Sequence, residues 1–340
     1  MSLYAVITTI QEPTPSVHTL VDRLAKHDAR LVVAGDIKGP HTFNGPTGSP
    51  WPVEFLSIPD QESGKYTLAT DLPKKHYARK NIAYLHAIAA GASCIYETDD
   101  DNAPNDVWSP REELVYGGRM VESTSYRWVN VYRYFSEENI WPRGLPLDEI
   151  RTPVPESRNF SHQQRSPIQQ GLVNGSADVD AIWRLVMDRE FFFDAGERVY
   201  LAPGNWCPFN TQTTWWWPVV YPLLYIPSYC SFRMCDIWKS FVAQRCLWEL
   251  GLGVVFHAPE VYQDRNIHDL TRDFRDEIPG YERNREICEI LTEKKLEAGE
   301  SAVAENHLRC YEELTRKGIF PSEEVKLLRC WMNDCQKASS

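Results

Sequence analysis

Three consecutive aspartates, Asp99, Asp100 and Asp101, directly follow an apolar run at 92–96 that predicts a buried strand. Adjacent carboxylates repel one another and disfavour a strand, so a positive partner is expected beside them. A hard divalent cation, Mg²⁺ or Mn²⁺, is the simplest partner, because it takes one or two protein carboxylates and leaves positions for substrate phosphates. The alternative is an acidic surface turn, which explains most isolated triplets. The neighbouring segments favour the metal site.

Basic side chains precede the triplet on the helix that is predicted to lead into its strand. Lys74, Lys75, Arg79 and Lys80 lie in the first half of this segment, and Gly91 ends it. The positive end of a helix dipole favours anions, so these cations suit a bound diphosphate. A solvated basic face is the alternative. Cations and carboxylates are expected to meet at one edge of one sheet.

Three further carboxylates, Asp178, Asp180 and Asp236, lie close to predicted helix starts. Helix capping explains one of Asp178 and Asp180, which leaves the other for a ligand hydroxyl or for work as a base, and it is the structural alternative to a functional role for Asp236. Between them, the stretch 204–229 is dense in tryptophan and tyrosine, with amide side chains among the rings. Such a stretch fits either a buried core or a sugar-binding cleft.

The elements around these residues predict an α/β fold. Strands are indicated at 4–9, 30–34 and 53–58, and a helix that Ser16 would cap lies between the first two. This order forms a right-handed βαβ unit. The segment from 287 onward is amphipathic and charged. We therefore predict a mixed, mostly parallel sheet flanked by helices over residues 1–280, divided into halves at 1–104 and 105–280, and a helical C-terminal extension at 281–340.

Composition excludes several classes of protein. The net charge of −11 argues against a nucleic-acid binder. The nine cysteines form no Cys-x-x-Cys pair, and no signal peptide or uninterrupted membrane span is indicated, so we expect reduced thiols and a cytoplasmic location. The fingerprints of Rossmann dinucleotide enzymes, P-loop proteins, Gly-x-Ser-x-Gly hydrolases and His-Glu-x-x-His zinc enzymes are all missing.

The order of these motifs resembles that of the GT-A nucleotide-sugar glycosyltransferases, in which an Asp-x-Asp motif coordinates Mn²⁺ or Mg²⁺ on the donor diphosphate. More specifically, the chain is similar to the STELLO-type glycosyltransferase-like family over roughly residues 1–280. The segments that carry this similarity are Lys80-Asn81-x-x-Tyr84-Leu85-x-Ala87-Ile88-x-x-Gly91-Ala92, Asp99-Asp100-Asp101-Asn102, Gln170-Gly171-Leu172-Val173-Asn174-Gly175-x-x-Asp178-Val179-Asp180 and Asp236-Ile237-Trp238. The last segment also resembles the plant reversibly glycosylated polypeptides, which are nucleotide-sugar mutases.

This resemblance implies a GT-A-like, Rossmann-like fold and assigns roles to the residues that match. The metal ligands would be the outer pair, Asp99 and Asp101. The donor would be bound by residues near the nucleoside (Thr8, Thr9, Asp36) and around the diphosphate (Arg79, Lys80, Asp100). The acceptor would be deprotonated by a base among Asp236, Asp178 and Asp180. Cys235 departs from the acidic pair that GT-A enzymes often keep beside the position of Asp236.

We therefore expect a metal-dependent glycosyltransferase that moves a sugar from a nucleotide-diphosphate sugar, with a UDP-sugar favoured, to a hydroxyl of a carbohydrate or other acceptor. The alternatives are a nucleotide-sugar mutase, a nucleotidyltransferase, and an inactive scaffold that keeps the fold and binds partners through its C-terminal helices. These helices would also be the contact of any homo-oligomer. Neither nucleic acid nor a transmembrane segment is expected.

Overall fold

The computed structural model describes residues 2–264 and 269–339. Within them, the strands are β1 (Leu3–Thr8), β2 (Arg30–Ala34), β3 (Val53–Leu56), β4 (Cys94–Thr98), β5 (Asn102–Pro104), β6 (Leu114–Val121), β7 (Arg127–Trp128), β8 (Arg158–Arg165), β9 (Ile168–Gly175), β10 (Val199–Leu201), β11 (Asn205–Trp206), β12 (Thr213–Trp216) and β13 (Val254–Gln263). The α-helices are α1 (Pro15–Ala25), α2 (Ile58–Gln61), α3 (Leu68–Asp71), α4 (Lys80–Ala89), α5 (Ala181–Met187), α6 (Cys235–Trp248), α7 (Leu270–Glu293), α8 (Val303–Arg316) and α9 (Ser322–Ala338).

The predicted βαβ unit is present at the start of the chain. β1 lies between β2 and β4 and is parallel to both, and β2 is parallel to β3. Helix α1 packs its apolar face on this sheet through Val17, Leu20 and Leu24. Its N-cap is Thr14 rather than the predicted Ser16, because Pro15 occupies the first helical position, where its missing N–H costs nothing.

One large sheet joins this unit to the second half of the chain, in the order β3-β2-β1-β4-β12-β9-β13-β10-β6-β8, with β5 paired to β13. Strand β12 runs antiparallel to both β4 and β9, and β9 is parallel to β13. The carboxyl end of β4 therefore lies beside the amino end of β12, and β12 pairs with the first residues of β9, Ile168 to Gln170. The predicted fold class, a mixed α/β sheet flanked by helices with a helical C-terminal part, is confirmed.

The C-terminal helices contribute to the same core as the sheet. Phe320, Leu328 and Trp331 are buried in one cluster with side chains of α4 and α6. Helix α7 runs without a break across residue 280, the predicted boundary, and the division into domains remains a prediction. Among the described residues, no helix combines the length and the apolarity that a membrane crossing needs.

Two buried carboxylates of α9 bind backbone amides far away in sequence. Glu324 accepts hydrogen bonds from the backbone N–H groups of Ser228 (3.0 Å) and Tyr229 (2.6 Å). Asp334 accepts from the backbone N–H of Leu68 at 2.8 Å, at the start of α3. These bonds attach the last helix to the loop before α6 and to the segment before α4.

Candidate functional site

The carboxyl end of β4 brings Asp99 against Lys80, as the order of motifs predicts. The Oδ1 atom of Asp99 accepts from the Lys80 Nζ at 3.0 Å and from the Tyr77 hydroxyl at 2.6 Å. Lys80 is fully buried in the first turn of α4, and its Nζ also donates to the Thr98 carbonyl. A buried ammonium is stable only with such partners, so the charge of Lys80 is fixed at the end of β4.

Asp100 turns away from its neighbours toward β1. Its Oδ2 atom accepts from the Thr9 hydroxyl and from the Gln11 Nε2. The hydroxyl of Thr8 donates instead to the Ala34 carbonyl on β2 at 2.9 Å. Asp100 and Thr9 therefore form one polar surface at the end of β1, next to the acidic triplet.

Asp101 has one carboxylate oxygen without a partner among the described residues. Its Oδ2 accepts from the Gln263 Nε2 at 3.0 Å, whereas its Oδ1 is buried and receives no hydrogen bond. Burial, together with the negative charge of Asp99, raises the pKa of Asp101 to about 7. The buried side-chain oxygens of Asn102 and Gln212 in the same region also lack donors. An ionised carboxylate in this environment calls for a positive or hydrogen-donating ligand.

The donor set is compatible with Mg²⁺ or Mn²⁺. Within residues 2–264 and 269–339, no group of three or more His, Cys, Asp or Glu side chains is arranged to hold a metal ion by itself. However, Mg²⁺ commonly binds one or two carboxylates and completes its octahedron with water and substrate phosphates. The carboxylates of Asp99 and Asp101, one with an unpaired oxygen, meet that smaller requirement.

Asp36 and Arg79 are engaged inside the fold. The carboxylate of Asp36 accepts from the backbone N–H groups of Lys75 and His76, both at 2.9 Å, and thereby holds the segment before α4. The buried guanidinium of Arg79 donates to the Gln61 side chain and to the Ala69 carbonyl. Both residues position the start of α4, and the predicted contacts of Asp36 and Arg79 with the nucleotide remain predictions.

A second carboxylate cluster is built around Arg143, which the motif analysis did not identify. Its Nε and Nη2 atoms donate to Asp178 at 2.8 and 3.0 Å, and its Nη1 and Nη2 atoms donate to Asp236, both at 2.8 Å. Its Nη1 also donates to the Arg233 carbonyl. All five N–H donors of the guanidinium are therefore used. The only indication of such an arginine would have been the need of two buried aspartates, Asp178 and Asp236, for a cation.

The three candidate bases have different environments. Burial opposes the ionisation of Asp178, but the positive charges of Arg143 and Arg233 prevail and lower its pKa below the ordinary value. Asp236 lies in the first turn of α6 and shares the same guanidinium. Asp180 is the N-cap of α5 and accepts from the Trp183 N–H at 2.8 Å, and burial raises its pKa to about 6.

Residues 210–211 connect the two clusters. The side-chain amide of Asn210 donates to Asp178 at 2.8 Å, and the hydroxyls of Thr211 and Tyr77 lie 2.6 Å apart. The tryptophans that follow at 215–217, and Trp206 before them, are buried. The sequence of this aromatic stretch is compatible with a buried core or with a sugar-binding cleft. The four tryptophans belong to the core, whereas Asn210 and Thr211 face the site.

A buried ion pair lies beneath the site. Lys239 of α6 donates to the Glu97 carboxylate on β4 at 2.8 Å, and both side chains are almost completely buried. The Trp216 indole also donates to Glu97 at 2.8 Å. This pair joins the strand that carries Asp99 to the helix that carries Asp236, so it fixes the distance between the two clusters.

Comparisons with known proteins bear on the predicted family. A family model described as "STELLO glycosyltransferases" matches residues 233–339, a range that contains Asp236 and the helices α6 to α9. The Arabidopsis thaliana protein "Probable glycosyltransferase STELLO2" is 29% identical over 229 residues, which cover 62% of this chain and 30% of that protein. "Probable glycosyltransferase STELLO1" from the same plant is 26% identical over 316 residues, which cover 86% of this chain and 40% of that protein.

The chain thus aligns with less than half the length of either curated relative. Among solved structures, the "Crystal structure of M. tuberculosis glucosyl-3-phosphoglycerate synthase" aligns with a TM-score of 0.38 and 11% identity, over 83% of this chain and 80% of that one. The resemblance to the STELLO glycosyltransferase family, which the sequence motifs predict, is confirmed by the family model and by the two relatives that carry the family's name.

Proposed function

We propose that this chain is a metal-dependent glycosyltransferase that takes a nucleotide-diphosphate sugar, with a UDP-sugar favoured, as its donor. The observation that carries the proposal is the end of β4. There, a buried carboxylate oxygen of Asp101 has no partner among residues 2–264 and 269–339, beside the paired Asp99 and the buried Lys80. The names of the STELLO relatives support the same class of reaction.

Each residue at the end of β4 has a role in this proposal. Asp99 and Asp101 would hold Mn²⁺ or Mg²⁺, and the bound cation would supply Lewis-acid stabilisation of the departing nucleoside diphosphate. Lys80 places a fixed positive charge where negative charge develops on the leaving group. Thr9 and Asp100, and more remotely Thr8 and Asp36, would bound the nucleoside side of the pocket.

The Arg143 cluster would receive the acceptor. Asp178 and Asp236 both bind the guanidinium, and their oxygens would accept hydrogen bonds from sugar hydroxyls and orient them. Asp178 is a weak base because its pKa is lowered, and Asp180 caps α5. Among these three carboxylates, we therefore propose Asp236 for proton transfer from the acceptor and Asp178 for its orientation.

The test is donor binding and turnover with and without the metal. A panel of nucleotide-sugars is added to the protein with Mn²⁺ or with EDTA, and the melting temperature is measured. A true donor at a concentration 100-fold above its Kd adds about 2.7 kcal/mol to the free energy of unfolding. Asp101→Asn should abolish the metal-dependent shift and lower turnover by at least about 100-fold.

Asp106→Asn is the matched control, because Asp106 is exposed and pairs with Arg23 on the surface. Wild-type activity and metal affinity in Asp101→Asn would refute the metal site. A mutase would act without any acceptor, and a nucleotidyltransferase would release pyrophosphate, so analysis of the products separates these alternatives. If no nucleotide-sugar shifts the melting temperature in the presence of Mn²⁺, the scaffold alternative replaces the enzyme.

Two further expectations belong to this proposal. A cytoplasmic location would be tested by fractionation of cells that produce the chain. Homo-oligomerisation through the outer faces of α8 and α9 would be tested by light scattering coupled to size exclusion.

A further inference from the structure

An exposed phenylalanine lies beside the polar centre of the site. Phe232 precedes α6, and 55% of its surface is exposed. Its ring packs edge-on against Tyr77, with the ring centroids 5.9 Å apart and an interplanar angle of 78°. The hydroxyl of Tyr77 in turn binds Asp99 and contacts Thr211. A large apolar surface is thus presented to solvent one side chain away from Asp99.

The backbone on either side of this ring is held in place. Ser228 and Tyr229 donate their backbone N–H groups to Glu324, and Ile226 donates its own to the Asn81 side chain at 2.8 Å. On the other side, the Cys235 thiol donates to the Phe232 carbonyl at 3.1 Å. The fold thus fixes the segment that carries the exposed ring. Such a segment loses little conformational entropy when a ligand packs on its ring.

The residue that follows Phe232 in the chain reaches the second cluster. The next residue, Arg233, donates to Glu277 at 2.8 Å, and its guanidinium lies 4.0 Å from Asp178. Asp178 also receives the Asn210 amide, next to Thr211. A flat apolar ring packed on Tyr77, whose hydroxyl contacts Asp99 and Thr211, matches a pyranose, which has one C–H face and a rim of hydroxyls.

The position of the ring favours the acceptor over the nucleotide. Thr9 and Asp100 meet at the end of β1, whereas the segment of Phe232 leads into α6, which carries Asp236. The carboxylates nearest to that segment accept hydrogen bonds, as sugar hydroxyls require. An incoming sugar on this ring would lie between Asp99 and the Arg143 cluster.

We propose that Phe232 is the stacking platform of an acceptor subsite and that the acceptor is a carbohydrate whose pyranose ring packs on it. This inference rests on the proposed function and adds the acceptor class to it. Phe232 is then a specificity-determining residue, because an acceptor without a flat C–H face gains nothing from the ring.

The experiment measures binding of a defined set of disaccharides by saturation-transfer NMR in the presence of UDP and Mg²⁺. The probes are cellobiose, maltose, lactose and mannobiose. We expect at least one of them to bind the wild type, with an affinity that Phe232→Ala lowers at least about 5-fold. Phe232→Trp keeps a stacking surface and should remain within about 2-fold of the wild type. Tyr116→Ala, which removes a ring that is 65% exposed on β6, is the matched control and should change nothing.

The proposal is overturned if none of the four disaccharides binds the wild type, or if Phe232→Ala binds as well as the wild type does. A change of oligomeric state in Phe232→Ala with unaltered disaccharide binding would assign the ring to a contact between chains instead. The thermal shift with the panel of nucleotide-sugars and Mn²⁺ on the same samples separates the two proposals. If no nucleotide-sugar shifts the melting temperature of the wild type, the proposed function is refuted, whereas a shift combined with unchanged disaccharide binding in Phe232→Ala refutes only the platform.

Discussion

The two carboxylate clusters of the site differ in how completely their oxygens are bonded. At the end of β4, Asp101 keeps a buried oxygen that no described residue bonds, and the acidic side chains beside it repel one another. Around Arg143, every guanidinium donor has an acceptor, and Asp178 and Asp236 share one cation. Among the described residues, the first cluster thus keeps an unbonded acceptor, whereas the donors and acceptors of the second are matched within the protein. This difference is the reason why we propose metal and donor binding for the first cluster and acceptor binding for the second.

Removal of the Arg143 guanidinium should have the largest effect on the stability of the fold. Arg143→Met leaves two buried carboxylates without their partner, and a broken buried pair typically costs about 3–5 kcal/mol. We expect a loss of that size in the free energy of unfolding, measured by urea denaturation. The matched control is Arg158→Met, whose partner Glu122 is exposed, and there a loss below about 1 kcal/mol is expected. Equal losses in the two variants would show that the Arg143 cluster stabilises the fold no more than a surface ion pair does.

The same amide substitution should have opposite consequences in the two clusters. Asp178→Asn removes a charge that the guanidinium requires and should cost about 1–3 kcal/mol of unfolding free energy. Asp101→Asn removes an unpaired buried charge beside Asp99 and should be neutral or stabilise the fold by up to about 1 kcal/mol. Denaturation of both variants in the presence of EDTA tests this difference. A larger loss of unfolding free energy in Asp101→Asn than in Asp178→Asn would contradict this difference between the two clusters.

Asp180 is intermediate between the two clusters, because it accepts hydrogen bonds from the Trp183 N–H and the Trp141 indole but pairs with no cation in the described part of the chain. Its pKa in the folded chain, about 6, exceeds the ordinary value of 3.8, so between these values the folded state holds a proton that the unfolded state has released. The free energy of unfolding should therefore fall as pH rises from about 4 to 6, by at most about 1.4 kcal/mol per pH unit, and then level off.

Asp180→Asn lacks this titration and should show a flatter profile over the same range. Urea denaturation at intervals between pH 4 and 7 provides the measurement, with Asp106→Asn as the variant that keeps the wild-type slope. Parallel profiles for Asp180→Asn and the wild type would contradict the assigned pKa.

Local signals were sufficient to predict the first half of the site. The apolar run before Asp99 and the amphipathic helix that carries Lys80 are neighbours in sequence, so the meeting of cation and carboxylates at a strand end could be predicted. Arg143 could not be predicted, because its partners Asp178 and Asp236 lie 35 and 93 residues away. It also sits in an irregular segment that carries no periodicity. Its role depends on tertiary structure alone.

The insertion of β12 between β4 and β9 also escaped prediction. Its residues, Thr213 to Trp216, form an apolar and aromatic run that fits a core as well as a cleft. The sequence of a central strand does not indicate whether the strand runs antiparallel to its neighbours, as β12 does to β4 and β9. Without that pairing, Asn210 and Thr211 could not be placed between the two clusters. The sequence indicated which side chains could do chemistry, whereas strand order determined which of them meet.

The bonds of α9 have a consequence for the order in which the site matures during synthesis. Glu324 lies 95 residues after Tyr229, and Asp334 lies 266 residues after Leu68, so the backbone groups they bind leave the ribosome long before their acceptors do. In a nascent chain that ends before Ser322, Glu324 is not yet present to bind the segment that carries Phe232. The segment before α6 and the start of α3 therefore gain these bonds only after α9 has been synthesised.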